Sequence, residues 1–260
     1  MSFKKIPCDD RAQDKFAKLY IRLAMALDEE FDLNGCIVVR NAVKLYGKTL
    51  GGLRRNQLVA EDRKVNLKTM TKGGSPLPCG LRTDKEWLRV ETQEMWVNVS
   101  TCPLAEVWKS EDACKLGEMY CEEFYNAYYK EAATDKCQVN LGQRITYWGE
   151  NIYHRCRLSV YFRPANLNAE QRKAAFEEWD TSYKSKKEAV PEKYDYDAMT
   201  KLMYACMMRC AQEELGQECV EKMKKASLDC AKSVQDNSLV GFICDMTEES
   251  LRDFVVTFDM

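Results

Sequence analysis

The stretch ETQEMWVNVSTCPLAEVW, residues 91–108, changes from one type of secondary structure to another, and most of the predicted fold follows from it. Met95, Val97 and Val99 alternate along one side of a predicted strand, which is typical of a sheet with one buried face. Proline is tolerated in the first turn of a helix but not inside a central strand, so Pro103 ends that strand. We therefore predict a strand over residues 95–101 and a helix that begins at Cys102.

The segments around this stretch predict a layer of sheet and helix. Residues 87–92 pair with the first strand as a hairpin, and residues 138–147 and 155–163 form a second strand pair. A helix over residues 113–133 lies between the two pairs, with Cys121 and Tyr125 on one of its faces. The predicted fold class is α+β, an antiparallel sheet of four or more strands in the order strand pair, helix pair, strand pair, covered by helices.

The two ends of the chain predict helical hairpins. Residues 1–70 form an N-terminal hairpin that turns at DLNG, residues 32–35, and residues 82–165 form the α+β core. Residues 166–260 form a C-terminal helical extension that ends in a strand. LDEEFDLNGC, residues 27–36, is similar to AQEELGQEC, residues 211–219, so we weigh a partial repeat of the N-terminal part against a chance match of helices of similar composition.

The composition excludes several classes of function. The 39 basic and 41 acidic residues give a net charge of −2, so we expect neither a nucleic-acid partner nor a membrane partner. The first residues lack an apolar signal segment, and the 13 cysteines are spread along the chain, so we expect a cytoplasmic protein with reduced thiols. Kinase and nucleotide-binding motifs are absent from the sequence. A small-molecule substrate is the expected partner, and the sequence is also compatible with a homo-oligomer.

Three cysteines and the single histidine are the candidate reactive groups. Cys102 lies at a helix N-terminus, where the helix dipole lowers a thiol pKa, so it is the predicted nucleophile. His154 lies on the same strand face as Cys156 and is the first candidate for moving protons, with Glu122 as the second. The predicted substrate-binding residues are Cys121, Tyr125, Gln143 and Cys156.

The same cysteines allow two other interpretations. Cys102, Cys121 and Cys156 are candidate metal ligands, with zinc as the cofactor and an open position for water. Free cysteine is also one of the most buried residue types, so simple packing explains each of them as well. Packing is the interpretation that we adopt for four cysteines nearer the C-terminus, which are Cys206, Cys210, Cys219 and Cys230.

A family resemblance rests on three short motifs in order. They are VSTCPLAEVW, residues 99–108, GEMYCEE, residues 117–123, and YHRCRLSVYF, residues 153–162. Together with RNAVKLYGKTLGGLRR, residues 40–55, they resemble the L-2-amino-thiazoline-4-carboxylic acid hydrolase family over residues 35–165. The last motif is also similar to small ligand-binding domains of the 4-vinyl reductase type, at the level of fold.

The resemblance implies an enzyme, a hydrolase that opens a carbon–nitrogen bond of a small cyclic substrate such as a thiazoline. A cysteine thiolate or a thiolate-bound metal would carry the reaction. The alternative is a sensor module that binds a small molecule or a metal through the same cysteines without turnover.

Overall fold

The computed structural model describes residues 10–72, 84–145, 155–184 and 196–258, and these form a mostly helical α+β fold. The described part contains four strands, β1 Asp84–Val90, β2 Glu94–Thr101, β3 Gln138–Leu141 and β4 Cys156–Tyr161. Its α-helices are α1 Asp10–Ala60, α2 Leu67–Lys72, α3 Pro103–Ser110, α4 Cys114–Ala132, α5 Ala169–Ala175, α6 Tyr196–Leu215, α7 Gln217–Ser233, α8 Asn237–Asp245 and α9 Glu248–Thr257. The α+β class and the order strand pair, helix pair, strand pair are confirmed.

The four strands form one antiparallel sheet in the order β1-β2-β4-β3. Val97 of β2 lies opposite Leu158 of β4, and Val99 lies opposite Cys156. Met95, Val97 and Val99 are all buried, as the alternation predicted. The register brings the last residues of β2 and the first residues of β4 to the same end of the sheet.

Helix α4 covers the buried face of the sheet. The hydroxyl of Tyr129 lies 3.6 Å from the sulfur of Met95, which joins the C-terminal part of α4 to β2. On the opposite face Trp96 is 37% exposed. The prediction that helices cover the sheet is therefore correct for its inner face.

Helix α1 is interrupted at Asp32, where φ is 49° and ψ is −125°. A positive φ is unfavourable for a residue with a side chain, and here it lets the chain reverse. The rings of Phe16 and Tyr46 lie 5.9 Å apart, although thirty residues of unbroken helix would span roughly 45 Å. Cys36 also donates a hydrogen bond to Asp28 at 2.9 Å across the reversal. The two arms of α1, residues 10–31 and 33–60, therefore pack side by side.

Glycines allow α1, α3 and α4 to approach one another closely. A Cβ atom on Gly51 of α1 would lie 2.5 Å from the backbone oxygen of Tyr128 in α4. A Cβ atom on Gly117 of α4 would collide with the ring of Trp108 in α3. An aromatic cluster fills the space between these helices and contains Phe16, Tyr20, Tyr46, Trp108, Tyr120 and Phe124. These contacts fix α4 over the sheet.

The predicted C-terminal strand is wrong, because residues 248–257 form helix α9. Thr247 and Ser250 make a capping box at its start, which satisfies amides that the helix leaves free. Leu251, Val255 and Phe258 follow at helical spacing and are buried. This apolar stripe packs into the core and stabilises the helix. Within the described residues no helix is long and apolar enough to span a membrane.

Candidate functional site

The candidate site lies at the end of the sheet where β2 leads into α3. Cys102 is the N-cap residue of α3, with extended backbone angles, and Pro103 occupies the first helical turn as predicted. The residue is partly exposed and packs against the hydrophobic core. The sequence therefore placed this cysteine correctly.

The expected lowering of the Cys102 pKa is wrong. Burial raises the pKa of the Cys102 thiol to about 12. The backbone amides of Ala105 and Leu104 in the first turn of α3 lower it, although no side-chain hydrogen bond with N-cap geometry forms. Desolvation is the larger effect, because removing water penalises the charged thiolate more than two amides stabilise it. Cys102 is thus a neutral thiol at pH 7.

Cys121 of α4 and Cys156 of β4 lie near Cys102. A negative charge on Cys156 raises the pKa of both other thiols, and a charge on Cys102 raises that of Cys121, so the three sulfurs share one local environment. Burial is the first cause of the raised pKa at Cys121 and at Cys156. Cys156 also accepts a hydrogen bond from the backbone amide of Ile145 at 3.1 Å. We call these three residues the thiol cluster.

Tyr125 completes the cluster from the next turn of α4. It is buried, and burial is the main cause of its raised pKa, followed by the charges that Cys121, Cys102 and Cys156 would carry. The hydroxyl therefore stays protonated at neutral pH. Tyr125 was predicted from helical spacing alone, and the structure places it beside all three sulfurs.

Arg144 brings positive charge to the thiol cluster. Its side chain is 18% exposed, and its Nη1 atom binds Glu122 Oε1 at 2.9 Å. Its Nε atom lies 3.8 Å from Glu118. The charge of Arg144 lowers the pKa of Cys121 and of Cys156, which opposes the effect of burial. Glu118 was missed from the sequence, although its position three residues before Cys121 places both on one helix face.

The other predicted site residues have different outcomes. Glu122 is 38% exposed and is held by Arg144 and, at 3.4 Å, by Arg40. Gln143 is exposed, and its backbone oxygen accepts the amide of Arg157 at 2.8 Å. The structure does not bring its side chain into the cluster, because the chain has left β3 by then. His154 lies outside the described residues.

The metal interpretation has no support in the described geometry. Among the residues that the structure covers, no three histidine, cysteine, aspartate or glutamate side chains are arranged to hold a metal ion. The four cysteines near the C-terminus, Cys206, Cys210, Cys219 and Cys230, are buried free thiols, which confirms their assignment to the core.

Two cavities stand out on the described surface. The larger, about 960 Å³, is a groove between α1, α4 and the end of β3, and its wall includes Glu122 and Arg144. It therefore reaches the charged pair beside the thiol cluster. The smaller, about 190 Å³, lies among the C-terminal helices.

The chain matches no family model, no curated protein and no solved structure. The family resemblance of the three cysteine motifs therefore stays a prediction.

Proposed function

We propose that this protein binds a small carboxylate-bearing molecule at the thiol cluster. The observation that carries the proposal is that three partly exposed cysteine residues, drawn from the start of α3, from α4 and from β4, meet beside one arginine. A polarisable apolar wall next to a guanidinium group suits a small ring that carries an acid.

Arg144 is the proposed anchor for the ligand carboxylate. A guanidinium group has five N–H donors in a planar fork, so it can bind a ligand acid while it keeps its contact with Glu122. The groove that Arg144 lines gives a route from solvent to this position. Tyr125 is the proposed hydrogen-bond donor at the inner end, because its hydroxyl stays protonated.

Hydrolysis of a ring carbon–nitrogen bond is the reaction that we propose for this site. The Cys102 sulfur would attack the carbon between the ring heteroatoms, and a base, His154 or Glu122, would take its proton as the bond forms. The amides of Ala105 and Leu104 would stabilise the sulfur as it loses the proton. The ring carbon–nitrogen bond would then break, and the proton held by the base would pass to the nitrogen, which becomes an amine. Water would add to the same carbon and displace the Cys102 sulfur, which recovers a proton and is released as the thiol.

The raised thiol pKa values favour a second candidate, a binding module without turnover. A thiol with a pKa of about 12 is almost wholly protonated at pH 7, and forming its thiolate costs about 7 kcal/mol. A module that only binds its ligand through neutral thiols has no such requirement. In that case the cluster provides shape and polarisability, and Arg144 provides the charge.

Binding and turnover can be measured on one compound. We expect 2-amino-thiazoline-4-carboxylate to bind the full chain in a calorimetric titration, and Arg144→Gln to weaken binding at least about tenfold by removing the charged contact. Cys244→Ser is the matched control, because Cys244 is exposed and lies in α8. Unchanged binding in Arg144→Gln would refute the anchor.

Mass spectrometry of the same mixture separates the two candidates. An enzyme converts the compound to a product heavier by one water, and Cys102→Ala abolishes that conversion. A binding module leaves the compound intact at every protein concentration. Turnover that persists in Cys102→Ala would remove the nucleophile from the proposal and leave the site.

A further inference from the structure

The groove between α1 and α4 contains positive side chains that its own ion pairs do not use. Its volume is about 960 Å³, and five basic residues line it, Lys44, Lys48, Arg55, Lys130 and Arg144. The first and the last of these lie 3.5 Å and 2.9 Å from glutamates of α4. The other three form no ion pair with any described residue.

The acids that line the groove do not neutralise these three cations. Arginine and lysine side chains already bind Glu122 and Glu123, and Asp135 lies 2.8 Å from Lys136. Glu131 is the one lining acid without an ion pair in the described part of the chain. Three cations therefore face one carboxylate, and the excess positive charge favours an anion in the groove.

The packing of α1 on α4 brings the three cations to one end of the groove. A Cβ atom on Gly51 would lie 3.1 Å from the Cβ atom of Glu131, so the adjacent Lys130 lies level with Gly51. Lys48 precedes Gly51 by three residues and Arg55 follows it by four, which places both on the same side of α1. At 1.5 Å of rise per residue, they lie about 5 Å before and about 6 Å beyond Lys130. Their long side chains can therefore reach one small ligand.

The C-terminal end of α4 adds a hydroxyl donor to this end of the groove. Thr134 is half-buried, and its Oγ1 atom accepts the amide of Lys136 at 3.1 Å, so its own proton can go to a ligand. Arg55 donates one of its five N–H groups to the carbonyl oxygen of Ala133 at 3.3 Å. That contact offsets the partial negative charge at the end of α4, which would otherwise oppose an anion.

We propose that Lys48, Lys130 and Arg55 form a binding site for a small molecule with two neighbouring oxyanions, either phosphates or carboxylates. Lysine supplies a compact charge and arginine a planar fork, and both suit these oxygens. The Thr134 hydroxyl donates to one of the two groups. The site is distinct from Arg144, which binds α4 eight residues, or about 12 Å, before Lys130. The proposal holds whether or not the thiol cluster binds a ligand.

Pyrophosphate, glutarate and phosphate are the probes that test this site. We expect pyrophosphate or glutarate to bind the full chain in a calorimetric titration at low ionic strength. Phosphate offers a single oxyanion and should bind at least about tenfold more weakly than the better of the two. The tighter of the larger probes assigns the site to phosphates or to carboxylates. Equal affinity for phosphate, or no binding of either larger probe at millimolar concentration, would overturn the proposal.

A double variant locates the binding. Lys48→Gln combined with Lys130→Gln removes two charges and keeps polar side chains, and we expect it to weaken binding of the better probe at least about tenfold. Lys115→Gln combined with Lys232→Gln is the matched control, because both lysines are exposed and neither lines the groove. Circular dichroism reports whether each fold is kept. Full affinity in the groove variant, or an equal loss in the control, would contradict the assignment.

Arg144→Gln separates this site from the proposed carboxylate anchor. We expect it to change the affinity for pyrophosphate by less than about threefold, because a charge about 12 Å away is largely screened at physiological salt. A loss of pyrophosphate binding in Arg144→Gln alone would place the anion at the anchor and overturn this proposal. Persistent pyrophosphate binding by a protein that does not bind 2-amino-thiazoline-4-carboxylate would refute the proposed function and support this site.

Discussion

The cysteines at the sheet end and the cysteines in α6 and α7 are the same residue type in two different roles. Cys206 and Cys219 are fully buried, with 0% exposure each. Cys102, Cys121 and Cys156 are partly exposed and lie near a charged arginine. Burial raises the thiol pKa in both groups, so the pKa alone does not distinguish them. The exposure of the residue does.

The largest expected difference is in how the two groups respond to denaturant. We expect about 2 M urea, below the unfolding transition, to speed alkylation of Cys206 by at least about thirtyfold, because Cys206 reacts only after the helices open. Cys102 is reached in the folded state, so its rate is expected to change by less than about twofold. Mass spectrometry of iodoacetamide-treated protein measures both rates in one sample, with exposed Cys244 as the internal standard.

An equal increase in the alkylation rates of Cys102 and Cys206 in urea would contradict the comparison. That outcome would place Cys102 in the core.

Serine substitution is expected to affect stability differently in the two groups. Cys206→Ser places a hydroxyl in a fully buried site and should lower the free energy of unfolding by about 2 kcal/mol. Cys156→Ser should lower it by less than about 1 kcal/mol, since the serine oxygen can accept the Ile145 amide and reach solvent. Urea unfolding of both variants at neutral pH measures the difference. Equal losses would mean that Cys156 is as buried as Cys206.

Alkaline pH is expected to destabilise the fold through the thiol cluster. The pKa of Cys102 is about 12 in the folded protein and about 9 when unfolded, so the unfolded state loses this proton first as pH rises. The Cys102 thiol makes its full contribution to the free energy of unfolding below pH 9, and this contribution is lost between pH 9 and 12. From pH 9 to 10 this one thiol should account for about 1 kcal/mol of lost stability.

Cys102→Ala isolates that contribution. Its stability should fall less than that of the natural chain between pH 9 and 10, by the amount due to one thiol, as measured by urea unfolding at each pH. Parallel declines in the two proteins would show that Cys102 ionises as readily when folded as when unfolded.

The smallest expected effect concerns Arg144. Because its charge lowers the pKa of Cys156, Arg144→Gln should raise that pKa further and slow alkylation of Cys156 about twofold to threefold at pH 8. Cys102 is the control within the same protein, and Arg209→Gln in α6 is the matched control variant. A faster reaction at Cys156 would mean that the arginine shields the thiol instead of polarising it.

Local pattern was sufficient to predict the sheet and the position of Cys102. Met95, Val97 and Val99 alternate with a period of two, and only one register buries all three. Pro103 marks the change to helix because its missing amide is tolerated only there. These signals depend on neighbours in sequence, so they can be read without the fold.

The features that the sequence did not predict depend on tertiary contacts. The pKa of Cys102 follows from burial, which outweighs the backbone amides of the first turn of α3. The C-terminal extension was predicted to end in a strand, but packing of Leu251 and Val255 selects a helix. Glu118 belongs to the site because Arg144, 26 residues later in the chain, lies beside it, and the sequence does not show this contact.

Gly51 has no reactive atom, yet it helps to set the spacing of the sulfurs. Its missing side chain allows α1 to lie almost backbone to backbone on α4, two turns beyond Cys121. A single methyl group at this position would push α4 away from α1. Cys121 would travel with α4 while Cys102 and Cys156 stay with the sheet. The spacing of the three sulfurs in the thiol cluster thus depends on Gly51, a residue without a reactive group.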